Sequence, residues 1–147
     1  MKTSTITIEI LAPIQAVWKA LSTTEGMKAW LDWLKVETDW LQNSPVVFTC
    51  FDKKGEILEY KGEKMIFKGI IETKMENKEI TFDYPEQLAG IIKERYTLNE
   101  INAGATSVAF TQTCTDEKAQ SQEEDQKQLM EMLKTKFFIL ELCGANL

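Results

Sequence analysis

The chain contains no histidine, and that absence removes more chemistry than any single residue adds. Without imidazole there is no Ser–His–Asp triad, no Cys–His dyad, and none of the commonest transition-metal ligand. The three cysteines, Cys50, Cys114 and Cys143, are an odd number without close spacing. They form no C-x-x-C metal unit, and two of them lie in apolar, strand-like runs. They read as buried, reduced thiols, which places the protein in a reducing cytoplasm. The seven glycines are scattered without a G-x-G, so no phosphate-cradling loop is expected. No run of eighteen apolar residues occurs, so no membrane span is expected. The opening MKTSTITIEI carries one lysine and then alternates, with no apolar core or small-residue cleavage site of a secretion signal.

Positive charge is also sparse. Lysine and arginine number 17 against 23 acidic residues, a net charge of −6, and the cations are not clustered. Gripping phosphates requires a basic face, so neither nucleic acid nor an anionic membrane surface is an expected partner. One acidic run, Glu123-Glu124-Asp125, is no metal site, because consecutive helical side chains point around the cylinder and cannot converge on one ion. No metal and no cofactor are expected.

What is present is ordinary globular material. In 147 residues, 44% are hydrophobic and 27% charged, which suits a single domain spanning 1–147. Thr3–Leu11 alternates, with Ile6, Ile8 and Ile10 on one side and Thr5, Thr7 and Glu9 on the other, as in a half-buried strand. Pro13 then opens a helix marked by Ile14, Val17, Trp18 and Leu21. Ser22 with Glu25 gives a capping-box pattern for a second short helix bearing Met27, Trp30 and Leu31.

Strand signals dominate from Trp33 to Thr115. Leu34, Val36, Thr38 and Trp40 share a face, Asn43-Ser44-Pro45 turns the chain into Val46–Phe51, and Glu63–Lys74 alternates through Met65, Phe67 and Ile71. Glu79–Tyr84 brings Ile80, Phe82 and Tyr84 together, Ile91–Ile101 does so for Ile92, Tyr96 and Leu98, and Ala105–Thr115 for Val108, Phe110 and Cys114. Short turns such as Asn102-Ala103-Gly104 describe an antiparallel meander rather than βαβ units. After a polar loop, Ser121 with Glu124 caps a long helix whose face runs through Gln126, Leu129, Met130, Leu133, Phe137 and Leu140, with Gly144 as a stop. The fold class is therefore α+β: a curved antiparallel sheet of about seven strands around a long C-terminal helix, with two short helices after the first strand.

Several stretches carry a family likeness. Ile8-Glu9-Ile10-Leu11-Ala12-Pro13 leads into Val17-Trp18-Lys19-Ala20-Leu21-Ser22 and Met27-Lys28-Ala29-Trp30. Phe67-Lys68-Gly69-Ile70-Ile71-Glu72 runs on to Ile80-Thr81-Phe82, and Tyr96-Thr97-Leu98-Asn99-Glu100 to Val108-Ala109-Phe110. In these the chain resembles the START-like superfamily (helix-grip, Bet v 1-like, SRPBCC), and within it the group of the activator of Hsp90 ATPase. It departs where it has Thr23-Thr24 in place of the family's frequent Asp-Pro, and Asn43-Ser44-Pro45 in place of a glycine pair. The resemblance implies a helix-grip fold and members that are lipid carriers, cyclases, hydroxylase components or co-chaperones; fold alone does not choose among them.

One helix cannot fill a wide concave sheet, so the inward aromatics Trp30, Trp40, Phe67, Phe82, Tyr96, Phe110 and Phe137 are either core or the wall of a pocket. Met65, Met130 and Leu133 belong to the same set. Glu94 and Gln112 are polar at positions whose parity points inward, where they need partners, unless a bulge turns them to water. Three functions fit these residues. The leading one is non-catalytic binding of a small hydrophobic molecule, a lipid or aromatic metabolite, between sheet and helix. The second, implied by the resemblance, is an interaction module that binds a chaperone or other protein. The third is a cyclase- or hydrolase-type enzyme using Glu94 and Tyr96.

Overall fold

A computed structural model of the chain describes residues 1–144, the side chains of Gln87 and of 139–144 excepted. Leu140 and Cys143, counted above in the helix face and among the thiols, lie outside the described side chains.

The first strand, β1 (Lys2–Ile10), is followed by two short helices, α1 (Ile14–Ser22) and α2 (Thr24–Trp30). Strands β2 (Leu34–Glu37) and β3 (Pro45–Cys50) precede a two-stranded ribbon, β4 (Glu59–Tyr60) with β5 (Glu63–Lys64). Four long strands complete the sheet: β6 (Ile66–Met75), β7 (Glu79–Leu88), β8 (Ile91–Asn102) and β9 (Ala105–Cys114). A single 3-10 turn at Lys118–Gln120 leads into α3 (Gln122–Gly144). The main sheet has seven strands in the order β1-β9-β8-β7-β6-β3-β2, antiparallel throughout. This is the helix-grip arrangement that the resemblance implies. Among the described residues no helix is long and apolar enough to cross a membrane.

The strand alternation becomes burial directly. Ile10 is buried and Ile6 and Ile8 half-buried, while Thr3 and Thr5 on the outer face pair with Thr113 and Thr111 of β9 through hydroxyl contacts of 3.0 and 2.9 Å. Where the structure departs from the pattern, a backbone feature is responsible. Trp40 does not extend β2, which ends at Glu37, because Trp40 has φ of 62°, outside the strand region. Glu63–Lys74 is divided between β5 and β6. Strand β7 runs past Tyr84 to Leu88, but its pairing with β8 breaks between Asp83 and Leu88, where Pro85 has no N–H to give.

The second helix is capped by Thr23, not Ser22. Thr23 Oγ1 accepts from the Gly26 amide at 2.9 Å, and the Ser22 hydroxyl turns back to donate to the Trp18 carbonyl at 2.7 Å. Gly26 lets α2 approach the end of α1, since a Cβ there would come within 1.9 Å of the Lys19 carbonyl oxygen. Trp30 fastens the same pair, its Nε1 donating to the Ala20 carbonyl at 2.9 Å. At the start of α3 the Ser121 hydroxyl points back to the Lys118 carbonyl at 3.4 Å, so the expected capping-box contact is replaced by a contact with the 3-10 turn.

Candidate functional site

The long helix lies toward one side of the sheet, and its amide side chains show which. Gln122 Nε2 donates to the Gln112 carbonyl at 2.8 Å, and Gln126 Nε2 to the Ser4 carbonyl at 2.9 Å, so this stripe rests on β1 and β9. Gln122, Gln126, Met130, Leu133 and Phe137, spaced three and four apart, are all buried on it. A second stripe, Asp125, Gln128, Leu129 and Met132, turns toward the other half of the sheet. Between that stripe and strands β3, β6, β7, β8 and β9 a cavity of about 370 Å³ is left.

Aromatic rings make most of its floor. Phe48 meets Phe82 edge-on at 5.2 Å between centroids, Phe67 meets Tyr84 at 5.8 Å, and Tyr96 stacks on Phe110 at 4.8 Å. Gly69 is needed for this arrangement. A Cβ at that position would lie 2.9 Å from Cδ1 of Tyr84 and 2.7 Å from the Asp83 carbonyl oxygen. Met27 and Leu31 at the end of α2 close one side. The exposed lining residues Trp33, Leu58 and Gln128 mark where the space reaches solvent, beside the short helices and the β4–β5 ribbon.

One end of the cavity is polar. Tyr84 donates its hydroxyl to Glu94 Oε1 at 2.9 Å, and Gln112 Nε2 donates to Glu94 Oε2 at 3.0 Å. Glu94 and Gln112 are register partners across β8 and β9, so their meeting follows from strand pairing. Burial pushes the Glu94 carboxyl above its usual range, against the Gln112 and Tyr84 hydrogen bonds and the Lys118 charge, which pull it down. Burial and the neighbouring Glu94 charge hold Tyr84 and Tyr96 well above the ordinary phenol range, and push the Cys50 thiol up to about 11. Lys118, carried in by the 3-10 turn, is ion-paired with Asp125 at the start of α3.

Of the residues that the sequence pattern selects, Met65, Phe67, Phe82, Glu94, Tyr96, Phe110 and Gln112 come together around the cavity. Trp30, Trp40, Met130, Leu133 and Phe137 do not line it. Trp30 joins the two short helices. Trp40 donates through Nε1 to Thr24 Oγ1 at 2.9 Å and packs edge-on against Phe82. Met130, Leu133 and Phe137 continue the buried helix stripe of Gln122 and Gln126 into the core. The parity of Glu94 holds because the bulge in β8 falls before it, between Ile91 and Lys93. That bulge brings Ile91 rather than Ile92 to the cavity.

Glu94 and Tyr96, joined in the enzymatic reading, are differently employed: the phenol bonded to Glu94 is Tyr84, and Tyr96 is stacked on Phe110. Tyr84 shares the Ile80–Phe82 alternation, so its inward position was legible. Phe48 and Cys50 likewise sit on a strand-like run. Lys118, Asp125 and Met132 gave no such signal, since their place depends on the entry angle and rotation of α3. The run Glu123-Glu124-Asp125 does diverge, Glu123 toward Lys2 at 3.7 Å and Asp125 to Lys118.

Comparison with other proteins gives one consistent picture. The family model for activator of Hsp90 ATPase homolog 1-like protein matches residues 11–137. No curated protein matches the chain by sequence. Among solved structures, a Cytophaga hutchinsonii protein determined in solution is 24% identical, with TM-score 0.73 over 97% of both chains. The Aha1 dimer from Colwellia psychrerythraea is 18% identical, with TM-score 0.63 over 91% of this chain and 94% of that one. The di-domain ARO/CYC BexL of the BE-7585A biosynthetic pathway is 10% identical, with TM-score 0.74 over 96% of this chain and 48% of its own. At these identities the likeness is one of fold.

Proposed function

The chain belongs to the family of activator of Hsp90 ATPase homolog 1-like proteins, and from that premise we propose that it is a non-catalytic binding module for a small hydrophobic molecule, a lipid or an aromatic metabolite. The observation that carries this reading is the cavity of about 370 Å³ between α3 and the sheet, walled by aromatic rings and ended by the Glu94–Tyr84–Gln112 cluster. Its size falls in the range of small-molecule sites, and such sites combine an apolar wall with a few polar groups that fix orientation. Met65 and Met132 suit a wall that adapts to its occupant. The same reading takes 1–147 as one domain and places it in the cytoplasm, which the buried free thiols Cys50 and Cys114 support.

Native mass spectrometry of the protein, purified gently from extract of its own cells, tests the proposal. A reproducible added mass that is lost on denaturation is expected. A clean unliganded mass from several extracts would overturn it in favour of the second reading, an interaction module of the Hsp90-activator type. That reading is supported by the family's own description, and direct binding to an Hsp90-type chaperone is its test.

A further inference from the structure

At the polar end of the cavity Tyr84, Gln112, Gln126 and Lys118 each spend a donor within the protein, and acceptors are left over. Tyr84 gives its hydroxyl proton to Glu94, and Gln112 gives its amide to the other carboxylate oxygen. Gln126 gives its amide to the Ser4 carbonyl, and the Lys118 ammonium is paired with Asp125. On the accepting side, Oε1 of Gln112 and Oε1 of Gln126 are buried without a partner among the described residues. Both residues line the cavity, at 5% and 1% exposure. Turning either amide around does not relieve this. A turned Gln112 would set its oxygen against the Glu94 carboxylate, and a turned Gln126 would set its oxygen against the Ser4 carbonyl. A carboxylate offers about four acceptor sites, and two of those on Glu94 are taken by these protein donors. Buried acceptors left without a donor are costly, and native structures rarely keep them.

Resting on the binding-module reading, we infer that the occupant enters with a neutral hydrogen-bond donor, a hydroxyl of phenol or alcohol type, at the Glu94–Gln112–Gln126 end, and that the site rejects carboxylate and phosphate head groups. A hydroxyl both gives and takes a hydrogen bond, so it can donate to the acceptor sites left on Glu94 while accepting from Tyr96, whose phenol burial keeps protonated. An anionic head group brings negative charge and only acceptors to an end that already holds the Glu94 carboxylate, where the Lys118 charge is offset by Asp125. Fatty acids and phospholipids are thereby disfavoured against phenolic aromatics and long-chain alcohols.

Three probes with one skeleton test the head group separately from the cavity. Naphthalene, 2-naphthol and 2-naphthoate are titrated into the 15N-labelled full chain at pH 7.5, and affinities are read from amide shifts of cavity residues. 2-Naphthol is expected to bind about tenfold more tightly than naphthalene, the worth of one well-made buried hydrogen bond. 2-Naphthoate is expected to bind at least tenfold more weakly than 2-naphthol, and Glu94→Gln should narrow that gap. If naphthalene binds and the naphthol gains nothing, or the naphthoate matches the naphthol, the head-group inference is overturned while the binding cavity stands. If none of the three shifts the cavity amides, the binding-module reading falls together with it.

Discussion

The Tyr84 hydroxyl donates to Glu94 Oε1 across 2.9 Å, tying the aromatic floor of the cavity to its polar end. Tyr84 is held from below by Gly69, whose missing side chain leaves room for the ring. Glu94 is held from the other side by Gln112, its register partner on β9. One bond therefore joins β7 to β8 through their inward side chains as well as through the backbone.

Tyr84→Phe keeps the ring and removes that donor. A hydrogen bond to an ionised group contributes roughly 1.5–3 kcal/mol, so a loss in that range is expected in urea denaturation at neutral pH. The Glu94 carboxyl should also titrate at higher pH than in the parent, because one of the two bonds that lower it is gone. A 13C carboxyl titration that is unchanged in the variant would show that the bond does not form in solution.

Glu94 gives the fold a pH dependence of definite sign. Its carboxyl is raised above the usual 4.5, so the native state favours the protonated form. The stability it contributes is complete below about 4.5 and is lost as pH rises through the folded value. Asp39, Asp116 and Glu117 are shifted the opposite way, but they are exposed and remain in any Glu94 variant. Glu94→Gln retains an acceptor for Gln112 and a donor for the Tyr84 oxygen, without the charge. Its Tm minus that of the parent should climb between pH 4 and pH 8. A difference that stays flat or falls would mean that Glu94 is solvated rather than buried.

The fold was largely legible because burial follows sequence period. The alternation of Thr3–Leu11 and the spacing of Ile14, Val17, Trp18 and Leu21 each need only one face to be chosen, and the structure buries that face. The site was legible where it stands on strands: Phe82, Glu94, Tyr96, Phe110 and Gln112 point inward by parity. It was not legible on α3. A helix offers more than one apolar stripe, and whether Met130 and Leu133 or Leu129 and Met132 face the cavity is a matter of rotation about its axis. That rotation is set by contacts far apart in the chain, such as Gln126 with Ser4. Trp40 failed for a local reason, the left-handed backbone at φ 62°.

Two glycines test close packing against helix propensity. Alanine is favoured over glycine in a helix by about 1 kcal/mol, so Gly26→Ala would stabilise a free α2. In the protein its Cβ meets the Lys19 carbonyl at 1.9 Å, a backbone atom that cannot rotate away, and α1 and α2 must separate. Gly69→Ala meets the Tyr84 ring at 2.9 Å and the Asp83 carbonyl at 2.7 Å. Overpacking of this kind costs roughly 1–3 kcal/mol, and Gly26→Ala is expected to be the worse of the two. Chemical denaturation of both variants checks the order; a stabilised Gly26→Ala would mean that α2 docks differently.

Neighbouring residues of α3 separate the cavity from the core. Leu133 is fully buried in the core, and Leu133→Ala should cost about 2–5 kcal/mol by opening a void there. Its effect on ligand affinity should be small, because the cavity wall is a different stripe. Met132 is half-buried and faces the cavity, about 100° further round the helix. Met132→Trp adds its bulk to open space, so Tm should change little, while 2-naphthol binding should fall by tenfold or more. The two measurements are calorimetric Tm and the naphthol titration, made on both variants. The reverse pattern, with Leu133→Ala losing the ligand and Met132→Trp keeping it, would move the occupant to the side of Met130, Leu133 and Phe137. The helix would then be turned as its sequence pattern alone suggests, with Met130, Leu133 and Phe137 meeting the ligand in place of Leu129 and Met132.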